Sequence, residues 1–160
     1  MAEHQPDGQR PSFGAAFLLA QLGAHATARY AERVATLDLS PAHTGALRRI
    51  AVEPGQSQQA LAGQLGVVPS KIVSLVDDLE SRDLLERRRN PADRRNYQLH
   101  LTEQGGKALA EIREIAQAHE HDITSGLTAE EHQELIALLN KVAQQQGLTQ
   151  GVHPGYRNLR

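Results

Sequence analysis

The stretch SQQALAGQLGVVPSKIVSLVDDLESRDLLERRRNPADRRNYQLHLTEQG, residues 57–105, decides the fold. Ser57 is placed to cap a short helix whose Ala60, Leu61 and Leu65 face inward, and Gly66 can enter the left-handed conformation that ends it. After a tight turn, Pro69 and Ser70 open a second helix ending near Arg82. Its Ile72, Leu75, Val76 and Leu79 share one apolar face, while Ser70, Lys71, Ser74, Asp77 and Asp78 point the other way. Two strand-like runs follow, 84–88 and 97–101, separated by the turn chemistry of Asn90-Pro91, so they are expected to pair as a hairpin. Helix, turn, helix and basic hairpin together make a winged helix-turn-helix.

Working outward, Phe13, Phe17, Leu18, Leu22, Ala26, Tyr30, Val34 and Leu37 recur at helical spacing after Ser12, giving a long first helix over 13–37. Ser40-Pro41 supplies an N-cap with proline at the first helical position, and the helix it opens stops before Pro54-Gly55. Thr102 opens a long helix to about 122, and Thr128 with Glu131 forms a capping box for a last helix to about 146. Residues 1–12 read as a disordered lead and 147–160 as a tail. The expected fold is mainly α with a small β-hairpin wing. A winged-helix lobe over 40–101 sits between flanking dimerisation helices over 13–37 and 102–146, the whole forming one domain over 13–146.

With 160 residues, one core is expected, and 39% apolar against 22% charged residues is the balance of a globular chain. The absence of cysteine excludes disulfides, thiolate metal sites and thiol redox switches. No signal peptide and no apolar run of about 20 residues is visible, so the expected location is cytoplasmic, with no membrane partner. No phosphate loop, nucleophile elbow or catalytic triad pattern occurs; no enzyme activity and no cofactor are expected.

The net charge of −2 argues weakly against a nucleic-acid partner, but its distribution argues for one. Residues 87–95, RRRNPADRR, carry five arginines against Asp93 alone, whereas acids dominate 111–134. A helix fits the major groove of DNA, and an arginine-tipped loop fits the minor groove, where negative potential concentrates. Ser70, Lys71 and Ser74, opposite the apolar face of their helix, are the candidates for base contact, and Ser57, Pro69 and Arg88 complete the set beside the wing.

The strings LSPAHTGALRRIA (39–51), SQQALAGQLGV, SKIVSLVDDLESRDLLERR and NPADRRNYQLHLTEQG resemble the MarR family of regulators, and the resemblance covers about residues 13–146. Its most specific piece is Asp93-Arg94-Arg95 followed closely by Leu101-Thr102-Glu103-Gln104-Gly105. The resemblance implies a regulator that binds double-stranded operator DNA, by default as a repressor. It places Arg94 in the minor groove at the wing tip, with Asp93 and Arg95 bracing the wing or touching the DNA backbone. The family often has arginine where Ser74 stands, so direct reading by this helix is expected to be weaker here.

The resemblance also implies a homodimer packed through the first and last two helices. The sequence supports this independently, through the wide apolar stripe of the first helix and Leu109, Ile112, Ile115, Leu135, Leu138, Leu139 and Val142 in the last two. It further implies a cleft between the lobes for a small aromatic acid or phenolic effector; His25, Arg29, His43 and Arg113 are the candidate ligand-binding residues. The sequence also admits two other classes of function. A metal-responsive regulator of the same fold could draw on the eight histidines, yet His119 and His121 diverge on a helix and no HExxH pair occurs. A protein-interaction module using the acidic helices would leave the wing arginines unexplained.

Overall fold

The computed structural model describes residues 13–91, 96–153 and 156. In chain order the elements are α1 (Ala15–Val34), a 3-10 turn (Ala35–Leu37), α2 (Pro41–Val52), α3 (Gln58–Leu65), α4 (Pro69–Ser81), β1 (Leu85–Arg89), β2 (Tyr97–Leu101), α5 (Glu103–Thr124) and α6 (Ala129–Gln145). The fold is thus mainly helical with a single two-stranded antiparallel hairpin among the described residues.

Local chemistry sets most boundaries. Ser40 Oγ accepts from the His43 amide, Ser57 from Ala60, Thr102 from Gly105 and Thr128 from Glu131, each satisfying an amide left open by the first turn. Gly66 ends α3 at φ 65°. The expected first helix differs at its end: the α-helix stops at Val34, and the chain tightens into the 3-10 turn before Asp38 adopts φ 58°. In α3 the inward residues are Leu61, Ala62 and Leu65, while Ala60 is exposed. An eight-residue helix has room for one buried stripe, and that stripe follows Leu61 and Leu65 at i, i+4.

The core lies in the middle of the chain. Leu47 and Ile50 of α2, Leu61 and Leu65 of α3, Ile72 and Leu79 of α4, Leu85 of β1, Leu99 of β2 and Ile112 of α5 are all fully buried in one cluster. Each such side chain contributes about 1.5–3 kcal/mol relative to exposure. Leu109 and Ile112, expected on the dimerisation face, are therefore buried within the chain's own lobe. They sit on the first half of α5, a helix that packs against α1, α2 and β2.

Strands β1 and β2 pair from Leu85 opposite Leu101 to Arg89 opposite Tyr97, and the Asn90 amide donating to the Asn96 carbonyl at 3.0 Å carries the pairing toward the tip. A third segment joins them: Gly55 donates to Leu99 O and Leu99 donates to Gln56 O, both at 2.9 Å. Gly55 can do so because it holds φ 85°. At the other end of the hairpin Gly105 lies against the Leu84 carbonyl so closely that a Cβ there would be 1.9 Å from the oxygen. The start of α5 is thus seated on the start of the wing. No helix among the described residues is long and apolar enough to cross a membrane.

Candidate nucleic-acid interface

Helix α4 turns Ile72, Leu75, Val76 and Leu79 into the core and leaves Pro69, Ser70, Val73, Ser74 and Asp77 exposed. The expected contact residues Ser70 and Ser74 therefore share the outward face, and Lys71 lies half-buried at its flank. Ser57 and Pro69 line an open groove of about 610 Å³ between the starts of α3 and α4 and the wing, together with Gln58, Val73, Asn90 and Tyr97. Sequence reasoning missed Gln58, Val73 and Tyr97. Only Tyr97, an exposed aromatic beside the basic run, carried a signal.

The arginines of β1 divide by partner. Arg87 is drawn inward: its Nε donates to Gln58 Oε1 at 2.9 Å, and its two terminal nitrogens pair with Asp77 and Glu80 of α4. With 17% of its side chain exposed, Arg87 ties the wing to both helices of the helix-turn-helix. Arg88, an expected contact residue, points to solvent and pairs with Glu86 on its own strand, and Arg89 is exposed beyond it. Asp93, Arg94 and Arg95 lie outside the described residues.

At its far end α4 is tied to the junction of α1 and α2. Arg82 reaches Asp38 at 2.6 Å and Asp78 at 3.0 Å, and Asp78 also accepts from His43 Nε2 at 2.8 Å. His43 Nδ1 accepts the Ser40 amide at 3.0 Å, completing the capping box of α2. One ring nitrogen accepting and the other donating is the hydrogen-bonding pattern of neutral imidazole. Burial accordingly holds the His43 pKa below its ordinary value, against the opposing pull of Asp78.

A separate cavity of about 390 Å³ lies between α1, α2, α5 and the C-terminal segment, lined in part by Tyr30, Arg48, His119, His153 and Tyr156. Tyr30 donates to Thr44 Oγ1 at 3.2 Å and packs on the His119 ring at 5.5 Å. His119 Nδ1 is buried without a hydrogen-bond partner among the described residues, and burial lowers the pKa of this ring, aided by Arg33. The segment expected to be a plain tail forms one wall: His153 bonds Thr27 at 3.3 Å, and Tyr156 lies on Gly45, whose Cβ would stand 2.7 Å from the phenol oxygen.

None of the four expected effector residues lines this cavity. His43 is occupied by Ser40 and Asp78, Arg29 pairs with Glu32 one turn along α1, and His25 and Arg113 are exposed. Equal helical spacing put His25 and Arg29 on a common face, but that face looks outward. No group of three or more His, Asp or Glu placed to hold a metal ion occurs among the described residues.

A helix-turn-helix with an exposed second helix, buttressed by a basic hairpin, defines a winged-helix protein. The model of the MarR family matches residues 39–97. A relative from Thauera aromatica, named as a transcriptional regulatory protein for the hcr operon, is 37% identical over 122 residues, 76% of this chain and 74% of its own. The transcriptional repressor CouR, solved bound to a 23-mer DNA duplex, is 30% identical with a TM-score of 0.73 over 81% of this chain and 92% of that one. A mutant of MarR from E. coli, solved with operator DNA, is 26% identical with a TM-score of 0.69 over 79% of this chain and 91% of that one. The chain belongs to the MarR family, whose members are transcriptional regulators.

Proposed function

We propose that this chain is a homodimeric repressor that binds a palindromic operator and is released by a small aromatic acid or phenol. The observation that carries the DNA half is the exposed N-terminal face of α4, with Ser70 and Ser74 standing beside an arginine-rich wing. Such a helix enters the major groove with its first residues at the base edges. Arg88, Arg94 and Arg95 then meet phosphate or the minor groove, with Asp93 bracing the tip.

Dimerisation is supported by apolar surface that the single chain leaves uncovered. Phe13, Phe17, Leu18, Leu19 and Leu22 of the α1 region are exposed, and α6 has no buried residue at all, with Leu135, Leu138, Leu139 and Val142 in solvent. A two-fold dimer covers these faces and sets two recognition helices about 34 Å apart, one turn of DNA.

The effector reading rests on the cavity beside Arg48 and His119. An anionic aromatic acid finds there a guanidinium and the Tyr30 and Tyr156 rings. Lodged between the α1 and α5 helices and α2, it fixes one spacing of the recognition helices. Its leverage equals its difference in affinity between the DNA-competent and incompetent arrangements.

The test is titration of duplex DNA flanking the chain's own gene, by fluorescence anisotropy at several salt concentrations. Arg94→Ala is expected to weaken binding and to reduce the slope of log K against log salt by about one. Millimolar salicylate is expected to weaken binding and raise the melting temperature, with both effects reduced in Arg48→Ala and kept in Arg29→Ala. An unchanged salt slope in Arg94→Ala removes that residue from the interface, and indifference to a panel of aromatic acids removes the effector.

A further inference from the structure

Once α4 is placed in a major groove, its outward face has an unusual chemical content. Successive residues turn by about 100°, so Ser70, Val73, Ser74 and Asp77 lie within one strip. All four are exposed, and Val73 keeps 44% of its surface in solvent between two serines. The strip holds no Arg, Lys, Asn or Gln, the side chains that discriminate guanine and adenine by paired hydrogen bonds. Lys71 lies about 100° round from Ser70, half-buried and engaged in an interaction of its own. Asp77 is committed to Arg87. Serine hydroxyls donate or accept and pair with any base, so Ser70 and Ser74 carry little sequence information.

One kind of discrimination remains. Thymine alone among the four bases projects a methyl group into the major groove, and an apolar side chain recognises it by excluding water from both surfaces. We propose that Val73 is the residue through which α4 determines base specificity, by seating its isopropyl group on the C5 methyl of a thymine in each half-site. This rests on the operator-binding reading above. Val73 also lines the groove beneath the wing with Pro69, so the same contact abuts the edge of the duplex nearest the hairpin.

The experiment begins with selection of a duplex by the full-length wild-type protein from a random pool. Each thymine of the selected duplex is then replaced singly by deoxyuridine, which lacks only the methyl. Wild-type affinity is expected to fall about fourfold or more at one position per half-site, the value of one buried methyl group. It is expected to be unchanged at the others. Val73→Ala is expected to bind thymine and deoxyuridine duplexes equally. Val73→Thr, which keeps one of the two γ-methyls that alanine lacks, is expected to retain part of the difference. Because the side chain is exposed, all three proteins are expected to melt together, which separates lost recognition from lost fold. Equal wild-type affinity for every deoxyuridine duplex overturns the inference, as does a thymine preference that survives in Val73→Ala. Failure of the wild-type protein to enrich any sequence overturns the operator-binding reading itself, and this inference with it.

Discussion

Gly105 and Gly106 are neighbours in the first turn of α5, and replacing each by alanine is expected to change stability in opposite directions. A Cβ on Gly105 would stand 1.9 Å from the Leu84 carbonyl oxygen and 2.9 Å from its carbon, whereas one on Gly106 meets nothing within 4 Å. An ordinary carbon–oxygen contact is about 3.3 Å, so Gly105→Ala must move helix and wing apart by roughly 1.4 Å. The Leu84 carbonyl cannot give way alone, because the Leu84 amide is bonded to Leu79 O at 3.0 Å and Thr102 grips both Asp83 O and Leu84 O. Overpacking of this kind costs about 1–3 kcal/mol, and loss of the Thr102 cap adds about 1 kcal/mol. Alanine's helix propensity returns about 1 kcal/mol. The net loss is about 1–3 kcal/mol, or a fall of roughly 2–12 °C in melting temperature for a chain of this size. Gly106→Ala has only the gain, about 0.5–1 kcal/mol. Both substitutions stiffen the unfolded chain equally, so the difference between them isolates the clash. Circular dichroism melts at one fixed protein concentration measure it, since self-association makes the midpoint depend on concentration. Equal melting temperatures for the two variants would refute the close seating of α5 on the wing.

Other consequences are as direct. Arg87→Ala is expected to lower stability by about 2 kcal/mol in urea unfolding, because it leaves Asp77, Glu80 and Gln58 without their shared donor. Arg88→Ala, which loses only an exposed pair with Glu86, stays within about 0.5 kcal/mol of wild type while reducing the salt dependence of DNA binding. Burial lowers the pKa of His43 and of His119, so below the ordinary histidine value of about 6.5 the unfolded chain binds more protons than the native one. Stability therefore rises with pH through that window, and the urea midpoint is expected to fall on acidification from about pH 7 to about pH 5.5, less steeply in His43→Gln. A flat midpoint would remove the neutral His43 bridge. Leu138, 54% exposed on α6, is expected to lie in the dimer contact, so Leu138→Glu should give monomers by sedimentation at micromolar concentration without loss of the lobe core. A dimer of unchanged affinity would move the contact elsewhere.

The parts of the fold legible from sequence were those written in adjacent residues. Ser40-Pro41, Ser57, Gly66, Thr102 and the Thr128–Glu131 box act on their own turn of helix, so their chemistry is visible without tertiary knowledge. Arg87 was not legible in the same way: strand alternation puts it and Arg89 on the face of Leu85, but nothing local tells which of these arginines finds its partners in α3 and α4. The cavity was not legible for a related reason. Its walls come from positions as far apart as Thr27 and His153, and Tyr156 is brought onto Gly45 by a segment whose composition reads as tail. Spacing along one helix found His25 and Arg29, but could not tell which side of α1 the rest of the molecule would cover. Leu109 and Ile112 show the same ambiguity, since an apolar stripe records that a face is buried and not against what.

The anchoring of α4 at Asp78 and Arg82 has a mechanical consequence. With those residues held to Asp38 and His43, the helix is a lever pivoted near its C-terminal end at the very corner where α1 hands over to α2. Ser70 is eight residues from Asp78, an arm of about 12 Å at 1.5 Å per residue. A tilt of 10° about that pivot sweeps the tip through about 2 Å, several times the spread of about 0.5 Å that a hydrogen bond tolerates. Small rotations at the corner are thus magnified at the end that would face the bases, while the buried face of α4 slides least beside its anchor.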